Sequence, residues 1–204
     1  MVRRSEFDIK DEAAFEVLMS ECEYGTLSLI DEGEPYGVPV NFVWFDGCVC
    51  FHGAREGRKV SVMANNPKAA FSVVKPYSLL PSYFSDTRAA CPATHFFASI
   101  HIAGTIEAVE DDTEKCNILN AMMQKLQPEG GYEKIDSNNP IYTKMTAQTA
   151  VWKLIPSHKS MKLKVGQNLS EERKENIINR LLQRGEGSDI STVEAIKKET
   201  KASK

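Results

Sequence analysis

Residues 47–67, GCVCFHGAREGRKVSVMANNP, decide the fold. Asp46-Gly47 is a two-residue hairpin signal, so Cys48–His52 (CVCFH) reads as a returning strand. Gly53–Gly57 is a loop bounded by two glycines. Lys59–Asn65 (KVSVMAN) is a short helix that Asn66-Pro67 stops, because the residue before proline is pushed out of the helical region. Arg58 and Lys59 therefore stand at a helix start, the end where the backbone dipole disfavours cations and where free N–H groups attract anions. Arginine offers a planar fork and lysine a point charge, a pair suited to a terminal phosphate. A solvated basic helix start is the plain alternative, and spacing alone leaves both open.

Outward from this stretch, strands follow one another with few helices between them. Tyr24–Ile30 (YGTLSLI) alternates through Leu27 and Leu29, and Asp31–Pro35 turns the chain. Tyr36–Phe45 (YGVPVNFVWF) reads as one returning strand, with Pro39 marking an edge, a bulge or a strand end. Ala69–Val74 is a fourth strand, residues 75–94 look irregular, and His95–Val109 is a long strand with Gly104 as a bulge candidate. Ala150–Ile155 is the sixth. Residues 11–22 form an opening helix with Asp11 as N-cap. Asp111 to Glu114 has capping-box spacing ahead of a helix with Ile118, Leu119, Met122, Met123 and Leu126 on one face. A polar, glycine-containing loop follows that helix. The pattern predicts a mainly β (α+β) fold, a six-stranded antiparallel barrel with peripheral helices. Beyond Pro156 the composition shifts. Glu171–Arg184 is an amphipathic helix with Gly185 as its C-cap, and Ser191 to Glu194 is a capping box for one more helix. We divide the chain into a barrel domain, 1–164, and a helical extension, 165–204, packed on the barrel or on a partner subunit.

Composition narrows the function classes. A chain of 204 residues with 42% hydrophobic residues builds one ordinary core. Its net charge of −3 gives no domain-wide basic field, so no nucleic-acid partner is expected. No apolar run is long enough to span a bilayer, so no membrane role is expected either. Met1-Val-Arg-Arg runs into Ser5-Glu-Phe-Asp rather than an apolar stretch, and the five cysteines read as reduced thiols; both point to a cytoplasmic protein.

The stretch at 47–67 resembles the flavin-binding segment of the pyridoxamine-phosphate-oxidase-like split-barrel superfamily, in Gly47, Phe51, Arg58, Lys59, Asn66 and Pro67. Tyr36–Phe42 (YGVPVNF) followed by Phe51–Lys59 (FHGAREGRK) is similar to the nitroimidazole-resistance branch, and residues 95–115 fit the same pattern. The resemblance implies a homodimer that binds FMN, with FAD as the alternative, at the subunit interface. By it, Arg58 and Lys59 hold the flavin phosphate, and Val38, Pro39, Val40, Asn41 and Phe42 lie along the ring. Phe51, His52 and Gly53 sit by the ring and ribityl chain, and Ser99 gives a polar contact. Basic residues of true pyridoxamine phosphate oxidases are missing from the second strand and the C-terminal segment, so vitamin B6 chemistry is not expected. The implied function is an FMN-dependent oxidoreductase drawing on NAD(P)H and reducing nitroaromatic or quinone-like acceptors. The alternative is a non-catalytic flavin- or haem-binding protein in sensing, storage or regulation.

His52 is the candidate catalytic residue, a proton donor or substrate contact near the flavin, against a merely hydrogen-bonded strand end. Cys48, Cys50 and His52 alternate on one side of a strand, about 7 Å apart, too far to share one zinc ion comfortably. No metal site is expected. Haem, with a histidine as axial ligand, ranks behind flavin.

Overall fold

The computed structural model describes residues 4–85 and 88–202. In chain order the elements are β1 (Asp8–Ile9), α1 (Glu12–Glu21), β2 (Tyr24–Asp31), β3 (Glu34–Asn41), β4 (Val43–Phe45), β5 (Cys48–Gly53) and α2 (Arg58–Asn65). Then come β6 (Lys68–Leu80), β7 (Thr94–Ala108), α3 (Asp112–Leu126), α4 (Pro140–Gln148), β8 (Ala150–Lys164), α5 (Glu171–Arg184) and α6 (Asp189–Ala202). The strands join in the order β3-β2-β6-β7-β8-β5-β4, with β1 on β8. The sheet is mainly antiparallel, and with its helices it makes an α+β fold of split-barrel type. Among the described residues no helix is long and apolar enough to cross a membrane.

Among the described residues the sheet holds eight strands rather than the expected six. One addition is the short β1. The other arises at Phe42, which breaks the predicted Tyr36–Phe45 strand into β3 and β4. Its ring is buried edge-on against Phe71, with centroids 4.8 Å apart, and its carbonyl accepts from Lys125 Nζ at 3.1 Å. Pro39 lies on β3, which stands at the end of the strand order, where a missing N–H costs no ladder bond.

Two strands run further than the sequence reading had them. β6 continues through Pro76 to Leu80, and the buried side changes phase there, from Phe71 and Val73 to Ser78 and Leu80. β8 continues through Pro156 to Lys164. Gly104 lets β7 pass β8 closely: a Cβ at that position would lie 2.0 Å from the Ile155 carbonyl oxygen.

The helices follow their caps. Asp111 Oδ1 accepts from the Glu114 amide at 2.7 Å, so α3 starts as read. Its Ile118, Leu119 and Met122 are buried, while Leu126 at the end is exposed. The loop expected after α3 contains α4, whose Asn139 N-cap accepts from the Ile141 amide at 3.0 Å and whose first residue is Pro140. α6 starts at Asp189, so Ser191 is no cap; its hydroxyl donates back to the Ser188 carbonyl at 2.9 Å.

The chain divides into two compact units. The first takes the described residues of 1–11, 74–99 and 160–204. Its core is Leu80, Phe84, Phe96, Val165, Ile177, Leu181, Val193 and Ile196, so α5 and α6 cover the strand segments of that unit. The second takes residues 12–73 and 100–159, and α3 packs there on β4, β5 and β8 through Val43, Cys50, Cys116, Ile118, Leu119, Met122 and Val151.

Candidate functional site

β5 presents two chemically different faces. Alternation sends Phe51 one way and Cys50 and His52 the other. Phe51 is fully buried, opposite Trp152 of β8 in the register, and their rings stack with centroids 5.7 Å apart. Lys59, in the first turn of α2, lays its Nζ over both rings at 5.5 Å each. Gly53 makes room for it, since a Cβ there would stand 3.2 Å from Lys59 Nζ and 3.5 Å from the Trp152 ring.

Burial holds the Lys59 ammonium below the ordinary lysine range. Among the described residues no carboxylate pairs with it. The aromatic faces offset part of the charge but leave it unneutralised. Gly57, the N-cap of α2, offers no side chain to cap the helix, and the first turn carries no acidic residue. The open helix start and the half-buried cation together favour an anion.

Arg58 diverges from its neighbour. Its Nε donates to Asp31 Oδ2 at 2.7 Å, and its guanidinium lies 4.3 Å from the centre of the Tyr36 ring. Its side chain is 63% exposed. The pair with Asp31 uses Nε, and the terminal Nη groups take no part in that bond. Beside it runs β3, where Val38 is half-buried, Pro39 exposed, Val40 buried and Asn41 half-buried. Asn41 Nδ2 donates to the Glu23 carbonyl at 3.3 Å.

His52 faces α3. Its Nδ1 lies 3.4 Å from Met122 Sδ, and its ring lines a cavity of about 390 Å³ with Leu119, Met123, Tyr142 and Met145 among the walls. Burial, and then the charge of Lys59, hold its pKa below the usual histidine value, so the ring is neutral at pH 7. Cys50, two residues before it, is packed in the core, and burial pushes its thiol up to about 12. That is an inert thiol. Ser99 is half-buried on β7 and belongs to the first unit, whereas the other candidate residues belong to the second.

Sequence reasoning missed Asp31, Tyr36, Trp152 and Met122 as neighbours of the candidate residues. Strand register and helix packing bring them there, and no local pattern marks them.

Residues 11–163 match the family profile described as pyridoxamine 5'-phosphate oxidase. The chain belongs to the pyridoxamine 5'-phosphate oxidase family. No curated protein matches it in sequence. Among solved structures, this family member is similar to a candidate 5-nitroimidazole antibiotic resistance protein from Bacteroides thetaiotaomicron, at 21% identity and a TM-score of 0.61, over 76% of this chain and 85% of that one. It is similar to the flavocytochrome Anf3 from Azotobacter vinelandii, at 21% identity and a TM-score of 0.69, over 86% and 77% of the two chains. It is also similar to the FAD and haem binding protein from Mycobacterium smegmatis, at 18% identity and a TM-score of 0.65, over 83% and 78%. These are likenesses of fold between members of the pyridoxamine 5'-phosphate oxidase family and its structural neighbours.

Proposed function

We propose that the protein binds a flavin, FMN in the first place, and works as an oxidoreductase on small nitroaromatic or quinone-like acceptors with NAD(P)H as donor. The working form is a homodimer. The observation that carries the reading is Lys59, a half-buried ammonium without a carboxylate at an uncapped helix start, beside the exposed fork of Arg58. An anion there restores what burial takes from the lysine. The donor set fits a phosphate monoester such as that of FMN. FAD and haem belong to the Mycobacterium smegmatis protein of similar fold, and FAD offers the same site a diphosphate.

In this reading Arg58, Lys59 and the first-turn amides of α2 hold the phosphate. The edge strand β3, from Val38 to Phe42, offers backbone groups to the ring, and Phe51 and Gly53 bound the space next to Lys59. The flavin supplies the electron transfer. His52 holds the proton: its neutral ring accepts one at a nitrogen and returns it, with Met122 Sδ 3.4 Å from Nδ1.

The visible spectrum of the purified protein tests the reading. A flavin's two-banded absorption is the expected result; a Soret band or a colourless protein that fails to take up added FMN overturns it. His52→Gln separates chemistry from binding. Flavin content should hold, and turnover should fall on the order of 10²-fold. Because the histidine pKa is lowered, wild-type turnover should decline only as pH drops through that lowered value, and the variant should lack this limb. Full turnover in His52→Gln would reduce the residue to a binding contact.

A further inference from the structure

In the first unit, two cations lie on two phenylalanine rings and a third stands beside them. The Arg4 guanidinium carbon lies 6.0 Å from the centre of the Phe7 ring. Lys162 Nζ lies 5.7 Å from the same ring and 5.1 Å from that of Phe97. Lys164, two residues on along β8 and so on the same side of the strand, hydrogen-bonds Thr94 Oγ1. Burial, then the charges of Lys162 and Arg4, hold Lys164 below the ordinary lysine range, which places all three within electrostatic reach of one another.

Among the described residues none of the three pairs with a carboxylate. Elsewhere in the same unit cations do: Lys10 with Asp8 at 2.8 Å, Lys174 with Glu171 at 3.0 Å, Arg184 with Asp189 at 2.6 Å. Asp8 stands directly across from Lys162 in the β1–β8 register, yet its contact at 2.8 Å is with Lys10. Three like charges held together with no carboxylate bonded to any of them cost stability unless an anion is the missing partner.

We propose that Arg4, Lys162, Lys164 and the Thr94 hydroxyl form a second anion site, distinct from the one at α2, for the diphosphate group of a nucleotide or of free pyrophosphate. A single phosphate ester carries about −1.5 to −2 charges, short of three cations, and a diphosphate closes the gap. Arginine and two lysines supply the charge-assisted donors, and Thr94 a neutral one. The Phe7 and Phe97 rings lie against Arg4 and Lys162 without neutralising them. This site stands whether or not the flavin reading does.

The test uses the full chain carrying Arg58→Ala and Lys59→Met, so that the α2 site is disabled in every sample. Calorimetric titration with sodium pyrophosphate, and separately with ADP, is run at constant ionic strength. Saturable binding is expected, weakened at least about tenfold in Lys164→Gln and about a hundredfold in Lys162→Gln, Lys164→Gln. ADP binding more tightly than pyrophosphate makes a nucleotide the ligand; equal binding makes it the diphosphate alone. Failure of both probes to bind, or affinities within twofold in parent and variants, overturns the site. An NMR titration at Lys164 Cε gives a check that needs no variant there: saturating pyrophosphate should move its pKa upward, and an unmoved pKa overturns the proposal equally.

Discussion

Asp189→Ala should lower the stability of the first unit by about 3–5 kcal/mol, the cost of removing one partner of a buried ion pair. Asp189 is 1% exposed. Arg184 grips it with both arms of its fork, Nη2 at 2.6 Å and Nε at 2.8 Å, and Ser78 Oγ donates to it at 2.6 Å. The Glu186 amide donates as well, at 3.0 Å. Those four bonds fasten the carboxylate of the first residue of α6. Asp189→Asn keeps the shape and part of the hydrogen bonding, so it should cost less, about 1.5–3 kcal/mol for the lost charged bonds. The arginine holds the Asp189 carboxyl far below the usual carboxylate range. Its folded pKa being depressed, its stabilisation is complete above the unfolded value of about 3.9 and is lost as pH falls below it. Both variants should lack that acid-side loss. Amide hydrogen exchange across α5 and α6 is the measurement, because both tryptophans, Trp44 and Trp152, lie in the second unit and fluorescence follows that unit. Unchanged exchange in Asp189→Ala would show that the cluster is not what holds these helices.

The second large effect is on flavin affinity. Each charge-assisted bond to the phosphate is worth about 1.5–3 kcal/mol, so Arg58→Ala with Lys59→Met should weaken FMN at least about a hundredfold. Methionine keeps the unbranched stem over Phe51 and Trp152, which separates loss of charge from loss of packing. The exposed Arg58–Asp31 pair contributes at most about 1 kcal/mol, so folding should survive. Lys59 adds a pH signature. Its lowered pKa means that wild-type affinity begins to fall at a lower pH than an ordinary lysine near 10.4 would dictate. Lys59→Met should flatten that alkaline limb. Equal FMN affinity in parent and double variant would remove the phosphate from α2.

Elements governed by neighbouring residues could be read from the chain alone. The turn at Asp46-Gly47, the helix behind Arg58 and the cap at Asp111 each depend on a few adjacent side chains, and each formed where expected. Prolines misled the reading, because their meaning depends on what lies across the sheet. Pro76 and Pro156 look like ends, yet β6 and β8 run through them. Asn139-Pro140 opens a helix, whereas Asn66-Pro67 closes one. The candidate site divides the same way. Arg58 and Lys59 stand at a helix start because of their own loop, but their divergence follows from Asp31, Tyr36 and Trp152, which strand pairing delivers from 22 to 93 positions away. His52 was placed correctly at a strand end, and only the packing of α3 reveals that it faces Met122 rather than Lys59.

The discontinuous make-up of the first unit also sets a schedule for synthesis. Its Ser78–Asp189 bond joins positions 111 apart, and β1 must find the far end of β8. The second unit has all its residues by 159, but the first waits for the final helix. At about 5–20 residues per second, Leu80, Phe84 and Phe96 spend on the order of ten seconds on a growing chain before Val193 and Ile196 exist to cover them. That interval is when a chaperone has most to do for this protein.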